Sequence, residues 1–166
     1  MTAGELLAEQ LAETRRWTLL LLADFAGDDW TYQPGPGLQH ALWLGGHLAS
    51  SQNTLIFQRC LDRNELDPAF ARKFAPGNAI KPAGEFAWPE PKAVLEHMAQ
   101  VHEKTLAAVR GMSDAVLAEP AFGKDGAKHP HYSTKLGAVS HADRHEAFHA
   151  GQIALIRRLV GKSFLR

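Results

Sequence analysis

The sequence predicts an all-α protein built as a four-helix bundle. Four long stretches carry apolar residues at three- and four-residue spacing without an internal proline, and all nine prolines fall between Pro34 and Pro130, in the connections. Four amphipathic segments of about 20 residues, each with one apolar face to bury, pack most simply against one another.

The first predicted helix covers about residues 4 to 25. It places Leu7, Leu11, Thr14, Thr18, Leu21, Leu22 and Phe25 on one stripe, with Gly27 as its stop. The second begins after Gly35-Pro36-Gly37 and runs to about Leu61, with Trp43, Leu44, His47, Ser51, Thr54, Leu55, Gln58 and Leu61 in register. A third follows Pro91 and ends near Gly111, carrying Val94, Met98, Val101, Thr105, Ala108 and Met112. The fourth runs from about Thr134 to Gly161. It presents Ala138, His145, His149, Gln152, Ile153, Ile156 and Val160, with Arg144, Arg157 and Arg158 mostly turned away.

Between the second and third helices, Asp67-Pro68 reads as an N-cap followed by a proline in the first helical position, so a short extra helix is expected over residues 69 to 74. Ser113-Asp114 caps a brief turn before a polar loop that contains His129 and His131. No internal repeat, low-complexity tract or domain boundary is apparent, and residues 1–166 are expected to form one domain.

Composition narrows the function classes. The 18 basic residues balance 18 acidic ones, so no global field draws the chain to nucleic acid or an anionic membrane. The longest apolar run, residues 19–23, is far short of the roughly 20 residues a bilayer span needs. Cys60 is the only cysteine and cannot form an internal disulfide; with no leader pattern at the N-terminus, a cytoplasmic location is expected. Cys60 has no adjacent histidine, so it reads as a packed residue and not a nucleophile.

The chemistry is concentrated in histidine, of which there are nine. His145 and His149 are four residues apart on a helix, about 6 Å along its axis, and share one face. The run His145-Glu146-Ala147-Phe148-His149 also spells the zinc-protease helix motif, in which the glutamate is the general base. Residues 150–166 contain no histidine, aspartate, glutamate or cysteine, so the downstream ligand those proteases use is missing. Glu146 is moreover turned about 100° from His145, at the margin of the apolar stripe.

A third ligand must then come from an earlier helix. His47, mid-helix between Leu44 and Ser51 on the inward stripe, is the best candidate. His141 lies roughly 12 Å along the axis from His149 and cannot share an ion with it, which leaves it a supporting or packing role. Trp43, one turn before His47, is placed to line a pocket. Any one of these histidines alone is more simply a hydrogen-bonded interior residue. Together, His47, His145 and His149 form a candidate site for one divalent metal ion: zinc, nickel or iron.

The segments Trp43-Leu44-Gly45-Gly46-His47-Leu48-Ala49 and His145-Glu146-Ala147-Phe148-His149-Ala150-Gly151-Gln152-Ile153-Ala154-Leu155-Ile156-Arg157-Arg158 resemble the two signature helices of the DinB/YfiT-like superfamily. The resemblance extends over nearly the whole chain. It implies an up-down-down-up bundle, often a homodimer, with a divalent metal on three histidines that fall at His47, His145 and His149. It also implies a relation to thiol-dependent transferases and isomerases using mycothiol or bacillithiol. The expected activity is thus transfer of a low-molecular-weight thiol to a small electrophilic substrate. The alternatives are a metal-dependent hydrolase and a non-catalytic, metal-stabilised dimer or stress-response protein.

Overall fold

The computed structural model describes residues 1–77, 80–123 and 132–165. It is all-α. Four elements dominate: α1 (Ala3–Leu22), α2 (Ala41–Gln52), α5 (Pro91–Arg110) and α7 (Lys135–Leu159). Between them lie α3 (Arg59–Leu61), α4 (Pro68–Lys73) and α6 (Asp114–Ala118). The main packing partners are α1 with α7 and α5, and α2 with α5 and α7, so successive helices α1 and α2 occupy opposite corners. Among the described residues the only β pairing is one antiparallel bridge, Pro120 to Thr134. No helix among the described residues is long and apolar enough to cross a membrane.

Local signals set the helix starts. Thr2 and Glu5 form a capping box at α1, Asp67 accepts from the Ala69 amide at α4, Ser113 caps α6 and Thr134 caps α7. The short helix foreseen after Asp67-Pro68 is present. α2 starts later than the Gly35-Pro36-Gly37 entry suggested, because His40 is its N-cap: the His40 ring accepts from the Trp43 amide at 3.0 Å. Past Gln52 the helix does not stay α; residues Asn53–Gln58 form a π-helical segment. Such widened turns are frequent at functional sites.

The core largely follows the predicted stripes, with charged exceptions at Arg15, Glu146 and Arg157. Arg15 was not among the residues assigned to the inward face of α1, yet it is buried and forms a two-pronged ion pair with Glu146 of α7, at 2.6 and 3.0 Å. Glu146 itself is 3% exposed, so it lies inside the bundle and not at the margin of the stripe. Arg15 also donates to the Met98 carbonyl on α5 (2.8 Å) and to Gln52 on α2 (3.3 Å), so one guanidinium ties all four long helices. Gln52 carries the chain on to His102 Nδ1 at 3.1 Å. Burial, with the Arg15 charge second, lowers the His102 pKa to about 3, which keeps that ring a neutral acceptor.

Arg157, expected to face outward, is also buried. It pairs with Asp24 and donates to the Leu21 and Ser163 carbonyls, pinning the end of α7 to the end of α1.

Removing one member of the Arg15–Glu146 pair leaves the other as an uncompensated buried charge. Arg15→Ala is expected to lower unfolding free energy by about 3 to 5 kcal/mol, whereas Arg16→Ala, whose partner Glu13 is exposed, shifts it by under about 1 kcal/mol. Urea denaturation followed by circular dichroism measures both; equal, small effects would contradict the role of the pair.

Candidate metal centre

Glu146 is held toward Arg15, and His145 and His149 lie about 100° and about 60° around α7 from it. His145 and His149 face α2, where they meet His47. His145 Nε2 lies 3.2 Å from His47 Nε2 and 3.1 Å from His149 Nε2, and the three ligand nitrogens all fall within 4.8 Å of one another. A tetrahedral ion with nitrogen ligands at 2.0 to 2.1 Å separates them by about 3.3 Å, so the cluster has the dimensions of one face of such a site.

The outer ring nitrogens show why these faces are turned inward. His47 Nδ1–H donates to the Phe74 carbonyl at 3.1 Å, and His149 Nδ1–H donates to Gln152 Oε1 at 2.6 Å. Each bond places the proton on Nδ1 and leaves Nε2 with a bare lone pair aimed at the cluster. Two lone pairs then flank His145 Nε2, which has at most one proton to share between them, with the Ser51 hydroxyl 3.3 Å from His47 Nε2. A cation satisfies all three, and on that chemistry the donor set fits a divalent metal.

Local packing supports each ligand. Trp43, placed beside the pocket by sequence, stacks on His47 with ring centroids 4.6 Å apart and planes 11° from parallel. The Phe74 carbonyl reaches His47 because Gly46 leaves room for the Phe74 ring; a Cβ at Gly46 would lie 2.4 to 2.5 Å from that ring. Burial lowers the pKa of His47 to about 4 and of His145 to about 3, and lowers that of His149 as well, the neighbouring imidazoles adding to the effect at His47 and His145. At neutral pH the three rings are therefore uncharged, as ligands must be.

The cluster opens onto a cleft of about 770 Å³. His47 and His145 form part of its floor, with Ser51, Thr54 and Gln58 from the α2 and π segments and His141 and Tyr132 opposite. Ser51 Oγ is 3.3 Å from His47 Nε2. His141 lines this cleft with its ring 6.0 Å from that of His145.

Glu146 cannot act as the base of a zinc protease while both of its oxygens are held by Arg15. Cys60 is fully buried, its thiol pushed up to about 12 by that burial, so it is inert at neutral pH. His40 and His97 are occupied elsewhere, the first as the α2 cap and the second against Phe70 at 4.0 Å. His129 and His131 lie outside the described residues.

Sequence reasoning missed Arg15 and the Phe74 carbonyl. Arg15 left one signal, falling four residues after Leu11 on a buried stripe.

The family model described as the DinB superfamily matches residues 10–153. Among solved structures, the chain is similar in fold to the conserved protein of locus from Enterococcus faecalis, at 19% identity and a TM-score of 0.74, over 98% of this chain and 99% of that chain. No curated protein matches.

Two outcomes are expected. Purified or zinc-loaded protein carries close to one divalent ion per chain by elemental analysis; His145→Ala or His149→Ala abolishes binding and His129→Ala leaves it intact. Stripped with chelator at neutral pH, the protein keeps its helical circular dichroism, because the core does not depend on the ion. On acidification the unfolded chain takes up protons near 6.5, while the folded site resists until about 4 or 3. The stripped protein is thus at full stability above about pH 6.5 and loses it as the pH falls from there toward 4. Denaturation midpoints that stay flat across that window would contradict the neutral, buried cluster.

Proposed function

The chain belongs to the DinB superfamily, and from that premise we propose that it holds one divalent metal on His47, His145 and His149 and transfers a low-molecular-weight thiol to a small electrophile. One observation carries this reading: three neutral imidazoles converge, and two of them, His47 and His145, line an open cleft whose described lining contains no carboxylate. A site meant only for stability would be closed by a fourth protein ligand.

With three uncharged ligands, a divalent ion keeps its full positive charge and supplies Lewis acidity that acidifies a thiol or water beside it. His47 and His149, each fixed through Nδ1, hold their lone pairs on that point. Free thiols ionise mostly above pH 8, so such help matters at neutral pH. A thiol that has lost its proton to solvent needs no further base to attack an electrophilic carbon and displace a leaving group. Hydrolysis by the zinc-protease route does need one, and Glu146 is already engaged by Arg15. The missing base therefore supports thiol transfer over that route. The exposed side chains of Phe148, Leu155 and Leu159 along α7 offer an apolar face for a second copy, which supports the homodimer.

Cobalt-loaded protein titrated with glutathione, cysteine, bacillithiol and mycothiol tests the reading. A sulfur-to-cobalt charge-transfer band is expected with at least one of them. No band with any, together with hydrolysis of an ester or amide library that His47→Ala abolishes, would replace thiol transfer with metal-dependent hydrolysis.

A further inference from the structure

The cleft above the histidine cluster has a charge pattern that the metal reading does not use. Its described lining contains two arginines, Arg59 and Arg72, and no aspartate or glutamate, although the chain as a whole is balanced at 18 basic and 18 acidic residues. Neither arginine has an acidic partner among the described residues. Arg72 is exposed and solvated, whereas Arg59 is half-buried and held in place.

Arg59 immediately follows the π-helical segment that forms one wall of the cleft. Two bonds to Phe122 fix it: Nη1 donates to the Phe122 carbonyl at 3.0 Å, and the Phe122 amide donates to the Arg59 carbonyl at 2.7 Å. Its charge also acts on the buried Tyr132 hydroxyl, which shares the cleft. Nε of this restrained guanidinium is buried and finds no acceptor among the described residues. A buried, charged donor without an acceptor is costly to maintain, and an anion supplies both the acceptor and the countercharge. A volume of about 770 Å³ suits a small molecule.

We propose that the cleft selects small anionic molecules, bearing a carboxylate or phosphate group, and that Arg59 binds the anion. The proposal takes the cleft of the preceding section as the substrate site, but the arginine contact does not require the metal. A planar guanidinium matches either anion through paired N–H donors. Thr54, also in the lining, adds a neutral donor. For the proposed transfer reaction, the electrophile is then an organic acid or a phosphate ester.

Calorimetric titration at fixed ionic strength, on stripped and on cobalt-loaded protein, decides it. The probes are succinate, inorganic phosphate and the neutral diamide succinamide. Stripped wild type is expected to bind succinate or phosphate and not succinamide, and the tighter of the two anions assigns the headgroup. Arg59→Gln is expected to weaken that binding about tenfold or more, the loss of one charge-assisted contact, while Arg72→Gln changes it less. Unchanged affinity in a folded Arg59→Gln, or succinamide binding as well as succinate, would overturn the proposal. Should Arg59→Gln fail to fold, the wild-type Arg59 ¹⁵Nε resonance, assigned against Arg59→Lys, is expected to move on adding succinate; a resonance unmoved at saturation overturns it. Failure of cobalt to load sinks the metal reading alone, because the stripped series tests Arg59 independently.

Discussion

The ion pair between Arg15 and Glu146 is the constraint from which the rest of the arrangement follows. Both side chains are 3% exposed, and isolating either charge in the interior would be prohibitive, so α7 has a single rotational setting in which Glu146 meets the guanidinium. Residues one before and three after Glu146 then point elsewhere, toward α2. Those residues are His145 and His149. Met98 and Gln52 complete the coordination of Arg15 from α5 and α2, so the element that aims the histidines also fixes the spacing of the helices that carry them. Replacing such a pair with apolar residues of similar size often leaves stability unchanged or raised. In this bundle, its contribution is best understood as orientation.

The same residue explains why a five-residue motif with two readings has one meaning here. In a zinc protease the motif glutamate faces the metal-bound water; here both of its oxygens are engaged by Arg15 of α1. The histidines therefore serve as ligands beside a carboxylate that is already paired with Arg15. Their charge balance is set by burial, which keeps all three rings neutral. Around them the cleft is free of negative side chains among the described residues, with Arg59 and Arg72 in its lining. An ion at the floor would thus stay electrophilic and add to a positive field that draws anions inward.

Much of this was legible in the sequence, and the parts that were not have physical causes. Apolar periodicity and proline placement give the helices, and Asp67-Pro68 gives the short one, because those signals are local. The histidine pair is legible for the same reason, and His47 follows from its place on an inward stripe. Arg15 and Arg157 were not legible as interior residues, since an arginine on a helix is usually solvated and only its partner across the bundle makes burial tolerable. Nor does anything in Asn53–Gln58 announce a π turn. The Phe74 carbonyl that fixes His47 is backbone, and no residue type marks it.

X-ray absorption spectroscopy of the zinc-loaded protein tests the centre most directly, because it reads the ligands themselves. Three imidazole nitrogens at about 2.0 to 2.1 Å, completed by one or two oxygen neighbours and reduced to two imidazoles in His47→Ala, is the predicted shell. A sulfur-containing or carboxylate-dominated shell, or an imidazole count that His47→Ala leaves unchanged, would contradict a metal held between α2 and α7.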